Sequence, residues 1–315
     1  MLRARVLEER LITMYKQGDG FFWIGGPGEE AFSVPLGLLV DKGQGVDHDY
    51  MHLHYRSSGT LLALGADPVD SLRQMKNTAT DPYSRGRNFA GHFSVRKWNV
   101  VPVTSPIEVQ FSVAIGTARA QRKATGAKGI TIVQGGDAGT AEGDFATALV
   151  WSSRKGSELP MLMIVTNNRW GISTSYEGQH GYTQIAERGK AFGMPTRVID
   201  GNDPEVTHQA LKEAIEYVRT ERKPYLLEAM VSRLRGHSSA SGANVVKEEP
   251  DCVDLFEQKL EARGLLSRKQ IDEKRAEYTA ELSAAAKRVR EEPMPSPGSI
   301  HDYTFADVNH VGGES

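Results

Sequence analysis

The spacing of apolar residues changes several times along the chain, and each change marks a different element. Leu2, Val6, Leu11, Met14 and Tyr15 recur at near-helical intervals, which predicts a helix over residues 1–18. Glycines crowd the stretch from Gly18 to Gly28 and predict a loop, followed by a helix from Glu29 to Val40. Leu61 to Leu64 is a shorter helix-like run. Residues 77–105 follow no period and contain Pro82, Gly86, Gly91 and Pro102. A loop of that length in a compact fold is usually functional or mobile.

Beyond it the pattern alternates. Residues 109–122 are helix-like, Ile130 to Val133 is β-prone, and Thr140 to Arg154 is helix-like again. Met161 to Val165 reads MLMIV, apolar at every position, as a parallel strand covered on both faces requires. Ile185 to Phe192 predicts a helix, Thr196 to Ile199 a strand, Pro204 to Arg219 a helix and Tyr225 to Ser232 a strand. Such alternation predicts an α/β fold, a parallel sheet with helices on both faces and right-handed crossovers. Two charged helices, 251–263 and 268–290, precede a tail opened by Pro293, Pro295 and Pro297. No linker divides the chain, so residues 1–315 read as one α/β domain with helical extensions at both ends.

Composition narrows the function. Of the 315 residues 39% are hydrophobic and 25% charged, ordinary globular values, and the formal charge is −2. That balance argues against a dedicated nucleic-acid binder. The single cysteine, Cys252, rules out an intrachain disulfide and a cysteine-rich metal site. No apolar run approaches membrane-spanning length, and the charged N-terminus has no signal-peptide core, so a soluble, cytoplasmic protein is expected.

Two polar clusters each follow a predicted strand: Gly135-Gly136-Asp137-Ala138-Gly139 and Asn167-Asn168-Arg169-Trp170-Gly171. Neighbouring parallel strands bring their carboxyl ends to one sheet edge, where α/β folds bind ligands. Asp137 offers a carboxylate, Asn168 an amide oxygen and Trp170 a backbone carbonyl, a donor set suited to Mg2+ with phosphate oxygens and water completing the shell. A helix starting near Thr140 would present free N–H groups to phosphate, and the glycines would let backbone approach the ligand.

The stretch GGDAGTAEGDF…LPMLMIVTNNRWGIST resembles the thiamine diphosphate fingerprint, which opens with Gly-Asp-Gly and closes with a double Asn. It is most similar to the alpha subunit of the decarboxylating component of 2-oxo acid dehydrogenases of the pyruvate and branched-chain type, over about residues 2–290. The resemblance implies a thiamine diphosphate-binding fold, with Asp137, Asn168 and the Trp170 carbonyl as magnesium ligands and Gly136, Ala138 and Gly139 beside the diphosphate. By the same likeness Tyr55 and Arg56 would contact the diphosphate, and Ser105 and Ile107 the aminopyrimidine region. His237 would lie on a mobile loop over the cofactor and assist acyl transfer. The family's glutamate for cofactor activation would come from a beta subunit in a two-alpha, two-beta tetramer. The acyl product of a 2-oxo acid would pass to a lipoyl-bearing acyltransferase core. Alternatives in the same class are an acetoin-cleaving or transketolase-like subunit, or an alpha-like subunit without catalysis.

The sequence departs from the family pattern at four places. Ala138 replaces the fingerprint's second glycine, a change that fits if its φ is negative. Val109 stands where relatives with a potassium site have threonine, Thr166 where some branched-chain relatives have an arginine on the diphosphate, and Ser241 where an acidic residue is usual. Arg85, Arg87 and His92, in the long irregular segment, are candidates for a lid over the substrate carboxylate. Asp203 and Pro204 read as a helix cap and first turn, without a catalytic role.

Overall fold

The computed structural model describes residues 1–181, 184–246 and 248–302. In chain order the elements are α1 (Leu2–Lys16), α2 (Glu30–Leu39), β1 (Tyr50–His52), α3 (Ser58–Ala63), α4 (Pro68–Lys76), α5 (Val109–Lys123), β2 (Thr131–Gly136), α6 (Gly143–Ser152) and β3 (Met161–Asn167). The small strands β4 (Trp170–Gly171) and β5 (Thr174–Ser175) follow, then α7 (Glu187–Lys190), β6 (Thr196–Asp200), α8 (Pro204–Glu221), β7 (Tyr225–Met230), α9 (Cys252–Ala262) and α10 (Arg268–Arg290).

Five strands form one sheet in the order β1-β2-β3-β7-β6, parallel throughout. Side chains alternate across it. Ile132, Leu162, Ile164 and Leu227 pack with Phe32, Leu36, Leu211 and Val218 of α2 and α8 on one face. Val133, Met161, Met163 and Leu226 pack with Phe111, Ala114, Phe145 and Ala148 of α5 and α6 on the other. MLMIV is therefore apolar at every position because both faces of β3 are covered, each large side chain contributing roughly 1.5–3 kcal/mol. The helical extensions have a separate core, in which Leu7, Leu11 and Met14 meet Trp23, Leu72, Leu282 and Val289.

Local signals set the helix ends. Asp203 accepts from the Glu205 N–H at the start of α8, and Arg222 in the left-handed region (φ 56°) ends it. Ser267 and Gln270 form a capping box at α10.

Several boundaries differ from the sequence expectation. The helix expected from Thr140 starts at Gly143, after a 3-10 turn over residues 138–141, because the Thr140 N–H and hydroxyl both turn back to the Asp137 carbonyl. The helix expected over Ile185 to Phe192 shrinks to Glu187–Lys190. β1, α4 and the β4–β5 hairpin were not predicted. β1 has only three residues and owes its state to pairing with β2, which no local pattern carries. The irregular segment 77–105 is pinned at one end by Asp81, which accepts from the Tyr83 and Ser84 N–H groups. At the other end Val100 bridges to Met51 of β1. Among the described residues no helix is long and apolar enough to cross a membrane.

Candidate functional site

β2 and β3 are neighbours in register from Thr131↔Met161 to Gly136↔Thr166. Their carboxyl ends therefore open side by side. The cleft at this edge is lined by Gly136, Asp137, Ala138 and Gly139 beyond β2, and by Thr166, Asn168 and Trp170 at the end of β3. His54, Tyr55 and Arg56 line it from the turn after β1, Ile107 and Glu108 from the turn before α5, and His237 from the loop beyond β7.

Asp137 is buried, and its Oδ2 has no hydrogen-bond partner. Burial pushes its carboxyl up to about 6, against the pull of nearby backbone N–H groups including that of Asn168. A buried carboxylate oxygen without a donor is suited to a cation. Asn168 Oδ1 accepts from the Trp170 N–H at 3.1 Å and keeps a second lone pair. Among the described residues no cluster of three or more His, Cys, Asp or Glu could hold a metal alone. One carboxylate, one amide and one carbonyl fit a hard cation that draws its other ligands from phosphate and water.

The preceding asparagine has another task. Asn167 Nδ2 donates to Glu228 on β7 at 2.7 Å, while its Oδ1 accepts from the Arg169 N–H at 2.9 Å. Arg169 takes a left-handed φ of 65°, which turns the chain into the β4–β5 hairpin.

Two glycines of the first cluster have a packing role besides the one expected. A Cβ on Gly135 or Gly139 would run into the Glu108 carboxyl, and one on Gly171 into Ala138 and Gln179. Gly135 and Gly139 make room for a buried acid rather than for ligand alone. Ala138 is absent from the positive-φ residues, so its methyl is unstrained, and Gly171 opposite provides the space. Glu108 itself has φ 63° and precedes α5 directly. That helix therefore starts after Glu108 and not at Ser105-Pro106. Burial pushes Glu108 up to about 8, with Asp137 adding to the effect.

Tyr55 and Arg56 are positioned by β2: the His54 N–H donates to Ser57 Oγ, which donates to Gln134 at 2.8 Å. Tyr55 lies 3.8 Å from the His54 ring and 6.2 Å from each of the His92 and His237 rings, measured between centroids. Arg56 donates to the Gly25 carbonyl and, at 3.1 Å each, to the carbonyl and Nδ1 of His237. A guanidinium only donates, so His237 Nδ1 accepts and its proton sits on Nε2. Burial, then the Arg56 and Arg233 charges, holds His237 down at about 4. Glu29 lies buried with both oxygens lacking a hydrogen-bond partner and Arg56 Nε 3.9 Å away; burial raises it to about 8.

Other expected residues lie elsewhere or play smaller parts. Ile107 lines the cleft and is exposed; Ser105 is exposed and does not line it. Arg87 bonds to the carbonyls of Ser84 and Ser299, away from the cleft, and Arg85 does not line it either. His92 is buried, and Gln74 donates to its carbonyl at 2.6 Å. Of the residues that line the cleft, the sequence reading missed His54 and Glu108, which stand in no motif.

The family model for the dehydrogenase E1 component matches residues 1–298. The chain belongs to that family. The 2-oxoisovalerate dehydrogenase subunit alpha of Bacillus subtilis (strain 168) is 31% identical over 315 residues, covering 97% of this chain and 93% of that protein. The mitochondrial subunit alpha of the same name from Dictyostelium discoideum is 31% identical over 78% of this chain and 54% of its own length. That from Bos taurus is 26% identical over 98% and 67%. As an E1 component the chain is part of an oxidoreductase, and membership implies thiamine diphosphate and a beta subunit.

Proposed function

We propose that this chain is the alpha subunit of a branched-chain 2-oxo acid dehydrogenase, decarboxylating its substrate and passing the acyl group to a lipoyl arm on an acyltransferase core. The names of the relatives support the branched-chain class. The observation that carries the site is the pairing of Asp137 and Asn168 on adjacent strand tips, with a buried, unpartnered Asp137 Oδ2.

In this reading the chain is one α/β domain that holds the diphosphate end of the cofactor. Asp137, Asn168 and the Trp170 carbonyl would hold Mg2+, and Tyr55, Arg56, Gly136, Ala138, Gly139 and His237 would surround the diphosphate. Bound there, thiamine diphosphate supplies the electron sink that lets carbon dioxide leave. Arg56 fixes the His237 ring and its tautomer, and the neutral ring presents its Nε2–H as a hydrogen-bond donor during acyl transfer.

A two-alpha, two-beta assembly is supported by the size and rim of the cleft. It holds about 60 Å3, against roughly 300–1,000 Å3 for a site that encloses a ligand of this size. Ile107, Trp170 and Ile172 stand exposed at its edge and suit burial by another chain.

The test is copurification with the beta partner, then calorimetric titration with Mg2+ and thiamine diphosphate and decarboxylation assays on branched-chain 2-oxo acids, pyruvate and acetoin. Asp137→Ala should abolish magnesium-dependent binding with the fold retained. Unchanged affinity in that variant would remove the site.

A further inference from the structure

Arg56 donates from its two Nη atoms to Gly25 and His237, and its Nε stands 3.9 Å from Glu29. A second guanidinium nearby is different. Arg233 is half-buried, and its Nε and Nη1 atoms are buried with no hydrogen-bond partner among the described residues. Its guanidinium lies 5.8 Å from the Trp170 ring centroid. The carboxylates that act on it through space are Asp137 and Glu249.

Two backbone bonds fix where Arg233 leaves the sheet. The Val231 N–H donates to the Asn167 carbonyl at 3.0 Å, and the Leu234 N–H to the Pro27 carbonyl at 3.0 Å. Arg233 therefore lies in the loop just beyond β7, the strand that pairs with β3, and reaches the cleft's edge at Trp170 without lining the cleft itself. At the β3 tip Thr166 contributes only a hydroxyl, which turns to the Gly135 carbonyl at 3.4 Å. A permanently charged group with unused donors is costly to bury without a partner.

We propose that Arg233 is a second diphosphate-binding guanidinium, reaching the oxyanion from the loop beyond β7 where β3 offers only Thr166. The inference rests on the thiamine diphosphate reading of the cleft and adds a binding residue to it. Arg56 fixes His237, and Arg233 supplies unused Nε and Nη1 donors within the field of Asp137. Trp170 would serve both, its carbonyl as a ligand to the cation and its ring beside the Arg233 guanidinium.

The experiment is calorimetric titration of the full chain, with its beta partner, using magnesium pyrophosphate and magnesium thiamine diphosphate as probes. Arg233→Met should weaken both by roughly 10- to 100-fold, the range for losing hydrogen bonds to a charged group. Arg233→Lys, which keeps the charge and the stem, should lose less and hold the fold if the Met variant does not. KM for the 2-oxo acid at saturating cofactor should stay unchanged in both. Unaltered probe affinity in a folded Met variant, or in the Lys variant where Met does not fold, overturns the inference. So does a raised KM with unaltered cofactor affinity, which would assign Arg233 to the substrate carboxylate. If the unmodified protein binds neither probe, the reading of the cleft itself fails, and this inference falls with it.

Discussion

Asn167 and Asn168 are consecutive, yet they face opposite ways at one strand tip. Asn167 ties β3 to Glu228 on β7, while Asn168 lines the cleft beside Asp137. Their alanine variants should therefore separate. Asn167→Ala leaves Glu228 with one donor fewer and should cost about 1–3 kcal/mol in a urea melt. Asn168→Ala should cost little stability and weaken magnesium-dependent cofactor binding. Equal effects on both measurements would contradict this division. The Glu108 wedge gives a second residue-scale expectation. A methyl on Gly139 meets the Glu108 carboxyl, so Gly139→Ala should destabilise by about 1–3 kcal/mol. The penalty should shrink in a Glu108→Ala background, a coupling that a double-mutant cycle reads directly.

Among the elements, α1 acts on the site without touching it. Glu8 accepts from Trp23 Nε1 at 2.9 Å and from the Ser58 hydroxyl at 2.6 Å. Arg5 bridges Glu30 and Asp251, and Glu30 accepts from the Gly28 N–H at 2.7 Å. These contacts shape the loop whose Gly25 carbonyl takes up Arg56. The His237 loop is tied to the same loop: the Ser239 N–H donates to the Trp23 carbonyl at 2.7 Å, and the Trp23 N–H to Ser239 Oγ at 3.1 Å. The usual acid is missing at Ser241, and this reciprocal pair orders the loop instead. Ser239→Ala removes the acceptor of a buried N–H. Hydrogen exchange over residues 233–246 should then quicken while the sheet stays protected; unchanged exchange there would show the anchor lies elsewhere.

Over the whole molecule, two sets of buried groups oppose each other with pH. His52 and His237 are held near 4 by burial, below the ordinary 6.5. The unfolded chain takes up protons that these folded rings refuse, so this contribution is lost as pH falls from 6.5 toward 4. Glu29 and Glu108 are raised by burial from 4.5 to about 8. The folded chain keeps protons the unfolded chain releases, so their contribution is lost as pH rises through that window. Stability without metal or cofactor should fall between pH 6.5 and 8. Glu29→Gln should flatten that slope in thermal melts at several pH values; an unchanged slope would mean Glu29 does not titrate there.

The sequence alone carried the alternation of apolar runs, and with it the parallel sheet and the strands β2, β3, β6 and β7. It also carried Asp137 and Asn168, because a ligand at the carboxyl edge of a sheet needs polar residues directly after buried strands. Those signals are local. The tertiary structure decided what depends on pairing and approach: the existence of β1, the later start of α6, and the reason for Gly135 and Gly139. It also decided that Arg233, in no motif, comes near Trp170 of the same cleft with donors to spare. A strand of three residues or a guanidinium's neighbours follow from which segments pack together, and that information is spread along the chain.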